Sequence, residues 1–112
     1  MKIIIKKENL AQQAEQVVRL AGYGLIYDQR REVQSFVRHF GRGRYPRFHM
    51  YVSEDREGRV VFDLHLDQKE ASYAGAHMHN AEYDGELVEG EINRLKALIS
   101  KLYRERQLTI NN

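Results

Sequence analysis

Residues 45–66 constrain the fold most. They read Tyr-Pro-Arg-Phe-His-Met-Tyr-Val, then a polar stretch containing Gly58, then Arg-Val-Val-Phe-Asp-Leu-His-Leu. Apolar residues alternate with polar ones on both sides of that stretch, which is the period-two pattern of two half-buried strands joined as an antiparallel hairpin. Phe48, Met50 and Val52 fall on one side of the first strand, and Arg47, His49 and Tyr51 on the other. In the second strand Val60, Phe62, Leu64 and Leu66 oppose Arg59, Val61, Asp63 and His65. Both apolar sets face one core only if paired residue numbers sum to an even total, because a one-residue slip turns a whole strand over. A loop of residues 54–58 lets Gly58 take the positive φ such loops need, and it pairs Val52 with Val60. In that register His49 faces Asp63 and Arg47 faces His65.

A hairpin alone is marginal in water, so the remaining chain has to cover its apolar side. Residues 2–6, three isoleucines between lysines, read as an edge strand. Asn9 can cap a helix carrying Leu10, Ala14, Val17, Val18 and Ala21, with Gln12 at capping-box spacing and Gly22 ending it. Residues 24–28 and 33–40 suggest a second hairpin. In its second strand Phe36 and Phe40 oppose Val33 and Val37, so neither side is marked as inward. Asp84 can cap a last helix whose Val88, Ile92, Leu95, Ile99 and Leu102 recur at steps of four and three to about Glu105, leaving 107–112 as a frayed tail. Together these predict one α+β domain over residues 1–112. Its two layers are a mainly antiparallel sheet in the order β-α-β-β-β-β-α and both helices on one face. The other face is left to carry Arg47, His49, Tyr51, Asp63 and His65. Residues 67–83, with Tyr73, His77, Met78, His79 and Tyr83, read as an ordered functional loop.

The chain has no cysteine, which excludes disulfides, thiol nucleophiles and cysteine-ligated metals. No apolar run is long enough for a signal peptide or a membrane span, so the expectation is a cytoplasmic protein with no membrane partner. Net charge is only +2, but residues 29–49 hold six arginines against one acid, and residues 81–92 hold five acids and no base. Such asymmetry speaks to partners.

Three groups of residues can carry chemistry. His49 beside Asp63, with His65 and Arg47, resembles a general acid-base site for a phosphate ester; His49 oriented by Asp63 would be the base and His65 the acid, with no cofactor. The plainer reading is a solvated sheet face whose cross-strand charges pair weakly. In an extended segment His77 and His79 point the same way, and with His65 and Asp63 or Asp67 they would complete a zinc or manganese site. Two nearby histidines also arise without any metal. Finally, Arg38, Arg42, Arg44 and Arg47 with Tyr51 suit phosphates and stacked bases, unless the arginines pair with the acids of the last helix. The leading expectation is a domain that binds nucleic acid, RNA over DNA, with a metal-independent His/Asp phosphodiesterase site if it is an enzyme. The alternatives are a metal-dependent enzyme or metal-binding protein, and an interaction module or homodimer using the exposed sheet face.

The order helix, Gly22-Tyr23, three strands and closing helix is similar to the double-stranded-RNA-binding-like arrangement that HicA-type messenger-RNA interferase toxins adapt. The likeness covers residues 9–52 and 84–106 and is topological. Gln34-Ser35-Phe36 stands where those toxins carry Gly-Ser-His, so no residue role is carried over.

Overall fold

Two eight-residue strands, β4 (Arg47–Glu54) and β5 (Val60–Asp67), form the hairpin that the alternation predicts. The computed structural model describes residues 1–29, 32–68, 81–82 and 85–111. Around the hairpin it arranges β1 (Lys2–Ile5), α1 (Ala14–Leu20), β2 (Gly24–Asp28), β3 (Val33–His39), β6 (Ala81–Glu82) and α2 (Glu86–Asn111). This is an α+β fold, an antiparallel sheet in the order β1-β5-β4-β3-β2 with two helices; the short β6 pairs with β5 as well. Among the described residues no helix is long and apolar enough to cross a membrane.

The hairpin register is shifted by two residues from the expected one. Val52 lies opposite Phe62, not Val60, so Tyr51 faces Asp63, His49 faces His65 and Arg47 faces Asp67. The cause is the turn. The Asp55 carboxylate accepts hydrogen bonds from the backbone of Glu57 at 3.0 Å and Arg59 at 2.9 Å, and Asp55 and Arg59 are also joined through their backbones. That closes a loop of three residues ending at Gly58, whose φ of +78° is the left-handed conformation this loop type needs. A side-chain acceptor that ties its own turn outweighs the longer loop. The shift is even, so each strand keeps its predicted faces.

One hydrophobic cluster joins Phe36, Phe48, Met50, Phe62, Leu64 and Leu66 of the sheet to Val17, Val18 and Ala21 around α1 and to Val88, Ile92, Leu95 and Ile99 of α2. Met50, Leu64 and Val88 are fully buried in it. Helix α1 starts at Ala14, not after Asn9; residues 7–9 make a single 3-10 turn instead. A cap contributes only about 1 kcal/mol. Here Leu10 and Ala11 pack inward as non-helical chain, and the Ala11 carbonyl accepts from Arg106 of α2. Gly22 ends α1 as expected, with φ +99°. The amides of Gly22 and Tyr23 reach back to the carbonyls of Arg19 and Val18, a Schellman closure that delivers Tyr23 into the core. Helix α2 runs to Asn111, past the expected frayed start at residue 107.

The Tyr23 hydroxyl donates to Glu91 at 2.6 Å, and Arg94 clamps the same carboxylate through Nε at 2.7 Å and Nη2 at 2.8 Å. Arg38 adds a longer contact of 3.7 Å. Glu91 is therefore a buried acceptor within the α2 stripe. Burial alone would raise its pKa, but the Arg94 and Tyr23 donors outweigh it and hold the carboxyl below its ordinary value. Burial and the facing carboxylate push the Tyr23 phenol upward.

Candidate functional site

The face opposite that core is not the wet surface that alternation predicts. Ser35, Val37, His49 and His65 are all buried on it, at 2%, 6%, 9% and 5% exposure. This settles the ambiguous strand: Phe36 of β3 packs in the hydrophobic cluster, while Ser35 and Val37 are buried on the other side, so β3 lacks the alternation of a half-exposed strand. Most of these polar groups tolerate burial by pairing with one another.

Asp67 holds the group together. Its Oδ2 accepts from His49 Nδ1 at 2.8 Å and from Arg47 Nε at 3.1 Å, and its Oδ1 lies 3.0 Å from His65 Nε2. The ladder explains the convergence, since His49 and His65 are direct cross-strand partners, Arg47 and Asp67 are the next pair on the same face, and β3 brings Ser35 alongside. Burial would raise the Asp67 pKa, but the hydrogen bonds from His49, His65 and Arg47 overcome it, so the carboxyl stays ionised well below the usual carboxylate range. With an anion on Nδ1, the neutral His49 ring carries its proton there and Nε2 accepts from the Ser35 hydroxyl at 2.7 Å. Tyr51 stacks on His49 at 4.8 Å between ring centroids, and the two imidazoles are also 4.8 Å apart.

Of the residues expected to act together, His49, His65 and Arg47 converge, and Asp63 does not. Asp63 lies opposite Tyr51 and Lys2, with its carboxylate 3.9 Å from the N-terminal amine. Asp67 takes the place beside His49 expected of Asp63, because of the two-residue shift. Arg38 is removed from the group too: it points to the helix side and meets Glu91, as the internal-pairing alternative holds. Arg42 and Arg44 are exposed on the connector between β3 and β4, where His39 Nδ1 donates to the Arg44 carbonyl at 3.0 Å. The Arg47 guanidinium covers the Tyr45 ring at 4.6 Å. His77 and His79 lie outside the described residues; the chain returns beside the site at Ala81, which pairs with Asp67. Ser35 is the participant that sequence reasoning missed. A lone serine in a strand carries no signal until its cross-strand neighbours are known.

His49, His65 and Asp67 each offer a ligand atom, and these atoms lie within 4.8 Å of one another, so the group can hold a metal ion. A cavity of about 460 Å³ adjoins it on the same face and shares Ser35, Arg47, His49 and Tyr51 with it. No family model matches the chain, and no curated protein or solved structure matches it.

Proposed function

We propose that the protein binds a divalent transition-metal ion, zinc or manganese, between His49, His65 and Asp67. The observation that carries this is the approach of three ligand atoms to within 4.8 Å of one another, at two buried histidines and a half-buried aspartate. Two imidazoles and one carboxylate are a donor set that zinc and non-haem iron use when other positions are left to water or substrate. Tetrahedral bonds of about 2.0–2.2 Å set donors about 3.3–3.6 Å apart, so closing on an ion draws the widest pair together by somewhat more than an ångström. Ser35 also suits a bound cation. A metal on Nδ1 of His49 leaves the ring proton on Nε2, and the hydroxyl that donates to the neutral ring can turn and accept it. Once bound, such an ion supplies a Lewis acid and an acidified water, while Arg47 steadies the carboxylate.

Calorimetric titration of zinc into protein purified without a histidine tag should give one site per chain. Affinity should fall in acid, because protons compete with the metal for its ligands. Absence of both zinc and manganese binding at neutral pH, or binding unaltered in His49→Ala, removes the reading.

A second reading, that the protein binds RNA, is favoured by one row of residues. His39, Arg47 and Asp67 are aligned across β3, β4 and β5, and the connector carrying the exposed Arg42 and Arg44 leaves the sheet at that row. Two guanidiniums beside the site can engage a phosphate backbone. Replacing both with alanine should weaken binding to all sequences alike and lower the slope of log K against log salt by about 1.5. Fluorescence anisotropy over a salt series reads this directly. Binding that ignores salt, or no binding to RNA or DNA, eliminates the partner.

A further inference from the structure

The cavity beside the centre has a defined polarity. Along its length it meets Arg47 at one end, His49 and Tyr51 next, and Ile26, Val33 and Asp28 at the other. The ladder sets this order, because Ile26 pairs with Ser35 and Asp28 with Val33, each step two residues further from Arg47. From the Arg47 row to the Val33 row is three such steps, about 20 Å of backbone. At about 460 Å³ the space lies within the range of small-molecule sites and is too small for a folded partner. A ligand that fills it needs negative charge at the guanidinium end. It needs a flat or apolar body against Tyr51, Ile26 and Val33. A nucleotide has that order of groups: phosphate, sugar, then a planar base.

We infer that this cavity receives one unstacked nucleobase of a single-stranded nucleic acid, with the adjoining phosphate turned toward Arg47 and the centre. The assignment rests on the nucleic-acid reading above and adds that the strand must be single, since a paired base cannot leave its duplex without losing its partner and its stacking. The Arg42 and Arg44 connector carries the backbone, and the cavity takes the base.

The test pairs two substitutions that change net charge equally. Val33→Glu puts a carboxylate into the cavity at a position that is 38% exposed, so folding should survive; Gln34→Glu puts the same charge on the opposite side of the same strand. Binding of a labelled single-stranded RNA dodecamer, the matching DNA and the corresponding duplexes is measured by anisotropy, and zinc binding of each variant by calorimetry. The expected results are single strands bound at least about tenfold tighter than duplex, and a loss of about tenfold or more in Val33→Glu against less than about twofold in Gln34→Glu. RNA and DNA single strands then distinguish a contact that uses the 2′-hydroxyl from one that does not. Wild-type protein with no salt-sensitive binding to any oligomer overturns both this assignment and the partner reading. Salt-sensitive binding that depends on Arg42 and Arg44, yet favours duplex or responds equally to Val33→Glu and Gln34→Glu, overturns the cavity assignment alone. The zinc titration reports separately on the metal reading.

Discussion

Asp67→Ala should lose zinc affinity by at least about 100-fold and also lower the stability of the metal-free protein by about 3 kcal/mol. The first figure is a lower bound: removing an outer partner of a metal ligand already costs about 10- to 100-fold, and Asp67 is a proposed ligand itself. The second follows from what stays behind. His49, His65 and Arg47 all direct hydrogen-bond donors at this one carboxylate, whose side chain is only 15% exposed. Donors stranded in a buried site cost about 1–3 kcal/mol each, reduced where the side chain can turn to water, as the Arg47 guanidinium can in part. Urea unfolding at neutral pH checks this, and the pH profile adds a signature. The Asp67 pKa is depressed from an ordinary value of about 3.8, so its stabilisation is complete above that value and is lost as pH falls through the folded-state value. Wild-type stability should therefore fall below about pH 4, and Asp67→Asn should remove this group's share of the fall. An Asp67→Ala variant as stable as wild type would show that the three donors do not depend on the carboxylate.

Glu91→Ala should cost about 3 kcal/mol, a fall of about 10 °C or more in Tm for a chain of this size. Glu91 has only 3% of its side chain exposed and serves the buried Tyr23 hydroxyl and the bidentate Arg94 clamp together. Arg94, at 40% exposure, can recover water, whereas the Tyr23 hydroxyl cannot, so most of the loss comes from the phenol. Tyr23→Phe in the Glu91→Ala background removes the stranded hydroxyl and should restore about 1 kcal/mol or more. Glu91 is also held below its ordinary pKa of 4.5, so its contribution is present above that value and disappears as pH drops through the lower, folded-state one. Thermal melts of the single and double variants decide the matter; a double variant no more stable than Glu91→Ala would place the loss elsewhere.

Much of this molecule was legible in its sequence, and the unread parts share a cause. Period two in residues 47–52 and 60–66 was enough to say which side chains share a face, because parity survives any even shift. It was not enough to say which residues meet. That depended on Asp55 tying a three-residue turn, a local competition that no pattern of hydrophobicity reports. That is why Asp67, and not Asp63, stands beside His49. Helix α2 followed from its stripe, yet nothing there marked Glu91 as a buried acceptor, since its partner Tyr23 comes from a distant part of the chain. The late start of α1 shows packing overriding a cap. The burial of His49 and His65 was hidden because alternation measures polarity, and polar groups that satisfy each other can be polar and dry at once.

The bend at Asp55 touches neither imidazole, yet it chooses the acid they share. Lengthening that bend by two residues would let the strands slide to the neighbouring even alignment, where Asp63 would come abreast of His49 and Asp67 would pass beyond the last pair. Loop length is thus a dial with discrete stops, and each stop hands the same two rings a different carboxylate while their outward aim stays as it is.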